Sequence, residues 1–192
     1  MLEVTVTIAI FSFIMVGVLS FIASSYQSYF KLNDRTSTLS KGRSAMERML
    51  KEIRGARESS LGAYPINSAT ANEFIFYANI DSDDLTERVR YTLSGSTLSR
   101  GVIKPVGTPL QYLPANEVVS NLATDIYNGA TPTFAYYDDT YTGSEAALSF
   151  PVTATNVRYV QFTLKVDETP GSPPEAVELV SSATIRNLKD NL

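Results

Sequence analysis

The sequence predicts an α+β protein: a long N-terminal α-helix packed on an antiparallel β-sheet. Three observations predict it. Residues 4–30 contain no charged side chain, and residues 4–23 are almost wholly apolar. Residues 31–57 are polar but keep apolar side chains at helical spacing. From Pro65 onward, short aromatic and β-branched runs alternate with turn residues and have no helix between them. Strands in that order pair antiparallel, and their apolar face needs a cover, which the amphipathic helix half supplies.

The first thirty residues define one region, 1–30. Twenty residues at the helical rise span roughly 30 Å, the thickness of a bilayer's hydrocarbon core. Such a stretch cannot remain bare in water; it lies in lipid, in a protein core or against copies of itself. It lacks the basic leading segment of a secretory signal. As a plain anchor, its flanking Lys31, Arg35, Lys41 and Arg43 would hold the following residues in the cytoplasm. One acid, Glu3, precedes the apolar run.

The second region, 31–192, is a globular head. Its helical part, 31–57, carries a stripe of Leu32, Leu39, Met46, Met49, Leu50 and Ile53, with Ala45 and Ala56 beside it. No proline interrupts residues 1–64, so one helix of over fifty residues is predicted, with Gly17 and Gly42 as weak points and Gly55, Gly62 and Pro65 as stop signals. Strands are predicted within 73–188: at 73–79, 87–93, 97–103, 133–137, 157–166 and 176–188. The pair around Ser94–Ser96 reads as a hairpin. Residues 104–132 read as a proline-rich loop with a short helix near 116–127. In 157–166, Arg158, Val160, Phe162, Leu164 and Val166 are the expected core face, with Val157 on the opposite one. A Pro/Gly turn is expected at 169–174.

Composition narrows function. The net charge of −4 gives no domain-wide basic surface for nucleic acid. With neither cysteine nor histidine, disulfides, thiolate metal sites and the commonest general base are excluded. The carboxylates fall in turns and converge on no recognisable catalytic pattern, so the expectation is a non-enzymatic protein. Asp81, Asp83 and Asp84, near Glu87, form one acidic loop, and Asp138, Asp139 and Glu145 another. Calcium favours such clustered oxygens, but the spacing is not that of an EF-hand, and solvated turns are the competing reading. Tyr136, Tyr137 and Tyr141 are read as exposed, either as an adhesive surface or as sheet packing.

The opening MLEVTVTIAIFSFI resembles the mature N-terminus of type IV pilins and pseudopilins. RSAMERMLKEIRGA (43–56) and VRYVQFTLKVDE…VELVSSATIRNL are similar to the later helix and last strands of J-class minor pseudopilins and W-class minor pilins. Glu3 follows two residues, where the family's glutamate usually follows four.

The resemblance implies a structural subunit of a type IV pilus-like filament, held in the inner membrane before assembly and then carried to the cell surface or periplasm. The alternatives are a J-like tip or initiator pseudopilin of a secretion or competence system, and a single-pass anchored binding domain that never polymerises. Implied partners are copies of the chain and other pilins, a prepilin peptidase, an inner-membrane assembly platform and membrane lipid. Glu3 would meet a neighbouring subunit's amino terminus. Ile8, Ile10, Phe11, Phe13, Ile14, Val16, Gly17, Val18, Leu19, Phe21 and Ile22 would pack the filament core.

Overall fold

The computed structural model describes residues 2–81, 83–167, 170 and 176–188, with backbone alone at 27 and 30–34. Helix α1 (Leu2–Arg54) is followed by strands β1 (Ile66–Ala69), β2 (Glu73–Ala78), β3 (Glu87–Ser94), β4 (Thr97–Ile103) and β5 (Val118–Ala123). Then come β6 (Phe134–Tyr137), β7 (Tyr159–Val166) and β8 (Val177–Thr184). The chain divides into two compact units, Met1–Ser37 and Thr38–Leu192. The α+β class is therefore observed, with an apolar N-terminal helix and antiparallel strands.

In the second unit the strands form two sheets rather than the single sheet expected. One has five strands in the order β1-β2-β3-β4-β5, the other three in the order β6-β7-β8, and every pairing is antiparallel. The sheets share one core. Phe74 of β2 lies 5.9 Å from Phe134 and 5.6 Å from Tyr136 of β6, centroid to centroid, and 5.1 Å from Phe76. Ala45, Met46, Met49 and Ile53 of α1 are buried in the same cluster. The predicted stripe thus faces the core, with Leu39 and Leu50 at its margin; the Leu32 side chain lies outside the described residues.

Gly42 is a packing position more than a weak point. A Cβ built there would stand 3.1 Å from Leu179 Cδ1 and 3.4 Å from Val166 Cγ2, so the bare backbone lets β7 and β8 approach α1 closely. The helix stops at Arg54, where the Gly55 and Ala56 N–H groups donate back to Glu52 and Ile53 carbonyls. Glu52 is held by charge-assisted bonds: Arg100 donates to both its oxygens at 2.9 Å, and the buried Tyr91 hydroxyl donates at 2.6 Å.

Four further expectations need correction. Residues 116–127 are not helical; a 3-10 turn at Pro114–Asn116 leads into β5, which pairs with the open edge of β4. Glu117 reaches back across β4 to form a two-pronged bond with Arg90 at 2.8 and 2.9 Å. It crosses directly above Gly101, where a Cβ would come within 2.0 Å of its carboxylate. Strand β1, unpredicted, pairs with β2 and buries Ile66 and Ala69. Val157, expected on the wet face, is fully buried because it precedes the strand proper, at the end of a 3-10 turn (Ala154–Asn156). Strand β8 ends at Thr184, and a 3-10 turn (Arg186–Leu188) closes the described chain. The predicted turn at 169–174 falls outside the described residues except at 170.

Candidate assembly surface

Residues Leu2–Tyr26 of the first unit form an apolar helix that is exposed throughout. Leu2–Tyr26 is long and apolar enough to cross a membrane, and none of it is buried. A membrane anchor and a signal sequence both meet that description. Ile8, Ile10, Phe11, Phe13, Ile14, Val16, Val18, Leu19, Phe21 and Ile22 are all exposed, from 43% at Ile22 to 84% at Phe13. Successive positions turn by about 100°, so these residues surround the helix instead of forming a stripe. Gly17 has open space where a Cβ would stand.

Two threonines of this helix bond to its own backbone. Thr5 Oγ1 donates to the Leu2 carbonyl at 2.8 Å, and Thr7 Oγ1 to the Glu3 carbonyl at 2.7 Å. Both hydroxyls are thereby satisfied without water, which suits lipid or a protein interior. Glu3 lies exposed in the first turn, where the helix dipole favours an anion. Among the described residues its carboxylate has no ion-pair partner.

The first acidic loop is organised differently from the expectation. Oxygens of Asp81, Asp83 and Glu87 come within 4.8 Å of one another, and Asp84 is outside that group. Lys104 Nζ sits 3.0 Å from Asp81 Oδ2 and also pairs with Asp83. Lysine thus already provides the cation that these two carboxylates need, and a calcium ion would have to displace it. Glu87 is 1% exposed, accepts one bond from the Ile80 N–H at 3.0 Å, and leaves Oε1 without a partner among the described residues. Burial pushes its carboxyl above the ordinary range, and the Asp81 and Asp83 charges push the same way.

The second acidic loop stands on a tyrosine cluster. Tyr136, expected to be exposed, is fully buried, with its hydroxyl donating to the Thr70 carbonyl at 2.9 Å; burial pushes its pKa up. Tyr137 and Tyr141 do meet at the surface, rings 4.0 Å apart, and Tyr141 lies 5.5 Å from Tyr159. Beyond them Glu145 accepts from the Thr142 hydroxyl (2.6 Å) and from the Thr142, Gly143 and Ser144 N–H groups (2.7, 3.1 and 3.2 Å). The Thr142 side chain first, then those amides, hold its carboxyl down at about 2.

One feature escaped sequence reasoning: a cleft of about 460 Å³ at the end of α1, lined by Glu47, Lys51, Arg54, Arg57 and Arg186 among others. The helix residues recur at the three- and four-residue spacing of one face, but Arg186 joins them only through the fold. Asn187 makes that junction by donating to the Ala56 carbonyl at 2.7 Å. No protein-family model matches the chain, and no curated protein matches it.

Proposed function

We propose that this chain is a structural, non-catalytic subunit of a type IV pilus-like filament. Cleaved by a prepilin peptidase, it is held in the inner membrane by Leu2–Tyr26 and then passed by an assembly platform into a filament outside that membrane. The observation that carries this reading is the contrast within α1: its first 25 described residues bury nothing, while its later residues are sunk in a packed head. The resemblance of MLEVTVTIAIFSFI to the pilin N-terminus adds independent support.

The energetics assign separate tasks to the apolar residues and to Glu3. Each large apolar side chain withdrawn from water is worth about 1.5–3 kcal/mol, which forbids a free helix in water. Lipid satisfies that demand as well as a helix bundle does, so the step from bilayer to filament gains little from hydrophobicity. Direction must come from packing and from polar pairing. A carboxylate buried among helices costs several kcal/mol unless paired. The amino terminus of a neighbouring copy removes that penalty in only one axial register, so Glu3 selects the register.

Glu3→Gln and Glu3→Ala test this. Both are expected to abolish filament formation in a reconstituted or cellular assembly assay, while the thermal unfolding of the head is unchanged. Normal filaments from either variant would defeat the register role.

A further inference from the structure

We propose that the basic cleft at the end of α1 receives the acidic loop 138–145 of a second copy of this chain, joining heads side by side. The inference rests on the filament reading and names a surface that the reading itself does not.

Charge is segregated along the chain. Residues 35–57 carry seven basic and two acidic side chains, net +5, whereas residues 58–188 carry seven basic and fifteen acidic, net −8. Within the acidic part, three of the seven cations are ion-paired: Arg90 with Glu73 and Glu117, Arg100 with Glu52, Lys104 with Asp81 and Asp83. Lys51, Arg54, Arg57 and Arg186 are different. All four are exposed around one cleft, and among the described residues none has an ion-pair partner, Glu47 being the only carboxylate in the lining. Part of this cluster complements the negative end of α1 itself. Two cations in the last turn would suffice for that, and Arg57 and Arg186 lie beyond the helix.

The complementary surface is the loop after β6. Asp138, Asp139 and Glu145 are near or at the surface with no cation among the described residues. Asp138 Oδ1 accepts from the Thr140 N–H and hydroxyl, and the Glu145 bonds fix the far side, so the carboxylates are presented by a shaped loop. Of the two acidic loops this one has no paired cation among the described residues; in the other, Lys104 pairs with Asp81 and Asp83.

Placement selects the geometry. Tyr137 pairs with Tyr159, and Tyr159 with Thr184, so the end of β6 and the end of β8 lie at the same end of the three-stranded sheet. The acidic loop leaves one edge strand, β6, and the chain leaving the other, β8, brings Arg186 into the cleft. The two edges are about 10 Å apart, two strand spacings. Positive and negative surfaces thus lie at one level on opposite edges. They meet when parallel copies are set side by side, a heterologous contact that leaves a free surface at each end and so propagates.

The test uses full-length chains, which contain no native cysteine. One chain carries only Arg57→Cys and another only Asp139→Cys; mixed and assembled, they are treated with a short bismaleimide. A cross-linked heterodimer is expected in the mixture, and much less of it when assembly proceeds at about 1 M salt, where charges are screened within ~3 Å. In parallel, Arg54→Glu with Arg57→Glu, and separately Asp138→Lys with Asp139→Lys, are each expected to lower filament yield roughly tenfold, and co-assembly of the two reversed chains to restore it. Wild-type filaments with indifferent variants and no cross-link would overturn the proposal and leave the filament reading standing. A wild-type chain that forms no filament removes both. Loss of binding to anionic phospholipid vesicles on reversing Arg54 and Arg57, with assembly intact, would assign the cleft to a membrane surface and overturn the proposal.

Discussion

Phe13 and Phe74 carry the same ring, yet Phe13 is 84% exposed on the first unit while Phe74 is fully buried in the second. The contrast runs through both units. Phe11, Phe13 and Phe21 project from a helix that supplies them no neighbours; Phe74, Phe76, Phe134 and Phe162 lie in a core built from two sheets and the later part of α1. Polar groups divide the same way. In the head Glu52 is tied to Arg100 and Tyr91, whereas between Leu2 and Tyr26 Glu3 is the single carboxylate and Thr5 and Thr7 bond within the helix. A domain that settles its own interactions needs no partner to fold. A helix whose backbone is bonded internally but whose apolar surface is uncovered suits lipid or other helices.

The sharpest way to break this comparison is to truncate a ring in each unit. Phe74→Ala is expected to cost the head about 3–5 kcal/mol, from lost burial plus the cavity left among Phe76, Phe134 and Tyr136. Phe13→Ala is expected to leave head unfolding unchanged, because its ring is exposed and loses no burial on truncation. Chemical denaturation followed by near-ultraviolet tyrosine circular dichroism measures both. An equal loss in the two variants would mean that the first unit supports the head.

A smaller effect tests how completely the head satisfies its polar groups. Glu87 has one buried oxygen with no partner among the described residues, and its carboxylate lies close to those of Asp81 and Asp83. Because its folded-state pKa is raised, the folded protein holds a proton that the unfolded chain releases. Its contribution therefore worsens as pH rises from the ordinary glutamate range through the raised value, and is absent below that range. Glu87→Gln keeps an acceptor for the Ile80 N–H and places an amide donor toward the aspartates. It is expected to stabilise the head by about 1 kcal/mol at neutral pH and to flatten the pH dependence. A variant whose pH profile matches the parent's would show that Glu87 is ionised without penalty.

The two units also differ in how far they could be read from sequence. Residues 4–23 announce an uncovered apolar helix through composition alone, since no later contact changes what surrounds them. In the head, the helix stripe and strands β2, β3, β4, β6 and β7 were legible because burial follows local periodicity. Strand β5 was not. Its residues tolerate a helix, and what decides otherwise is the open edge of β4 and the bond from Glu117 to Arg90, 27 positions away. The division into two sheets likewise depends on tertiary packing. Asp81 and Asp83 were legible as a pair; that Glu87 and not Asp84 completes the group follows from β3 beginning at Glu87 and turning that side chain inward. The basic cleft was half visible as Lys51 and Arg54 one helical step apart, but Arg186 reaches it only after two sheets have been laid down.

The central claim is that Leu2–Tyr26 exchanges lipid for copies of itself. Electron cryo-microscopy of the wild-type chain after transfer out of detergent or bilayer tests it most directly. The account predicts filaments in which density for Leu2–Tyr26 runs along the axis, helix against helix, with the heads outside. Single chains that stay in the bilayer under every assembly condition, or polymers joined through their heads with the apolar helices splayed away from the axis, would contradict it.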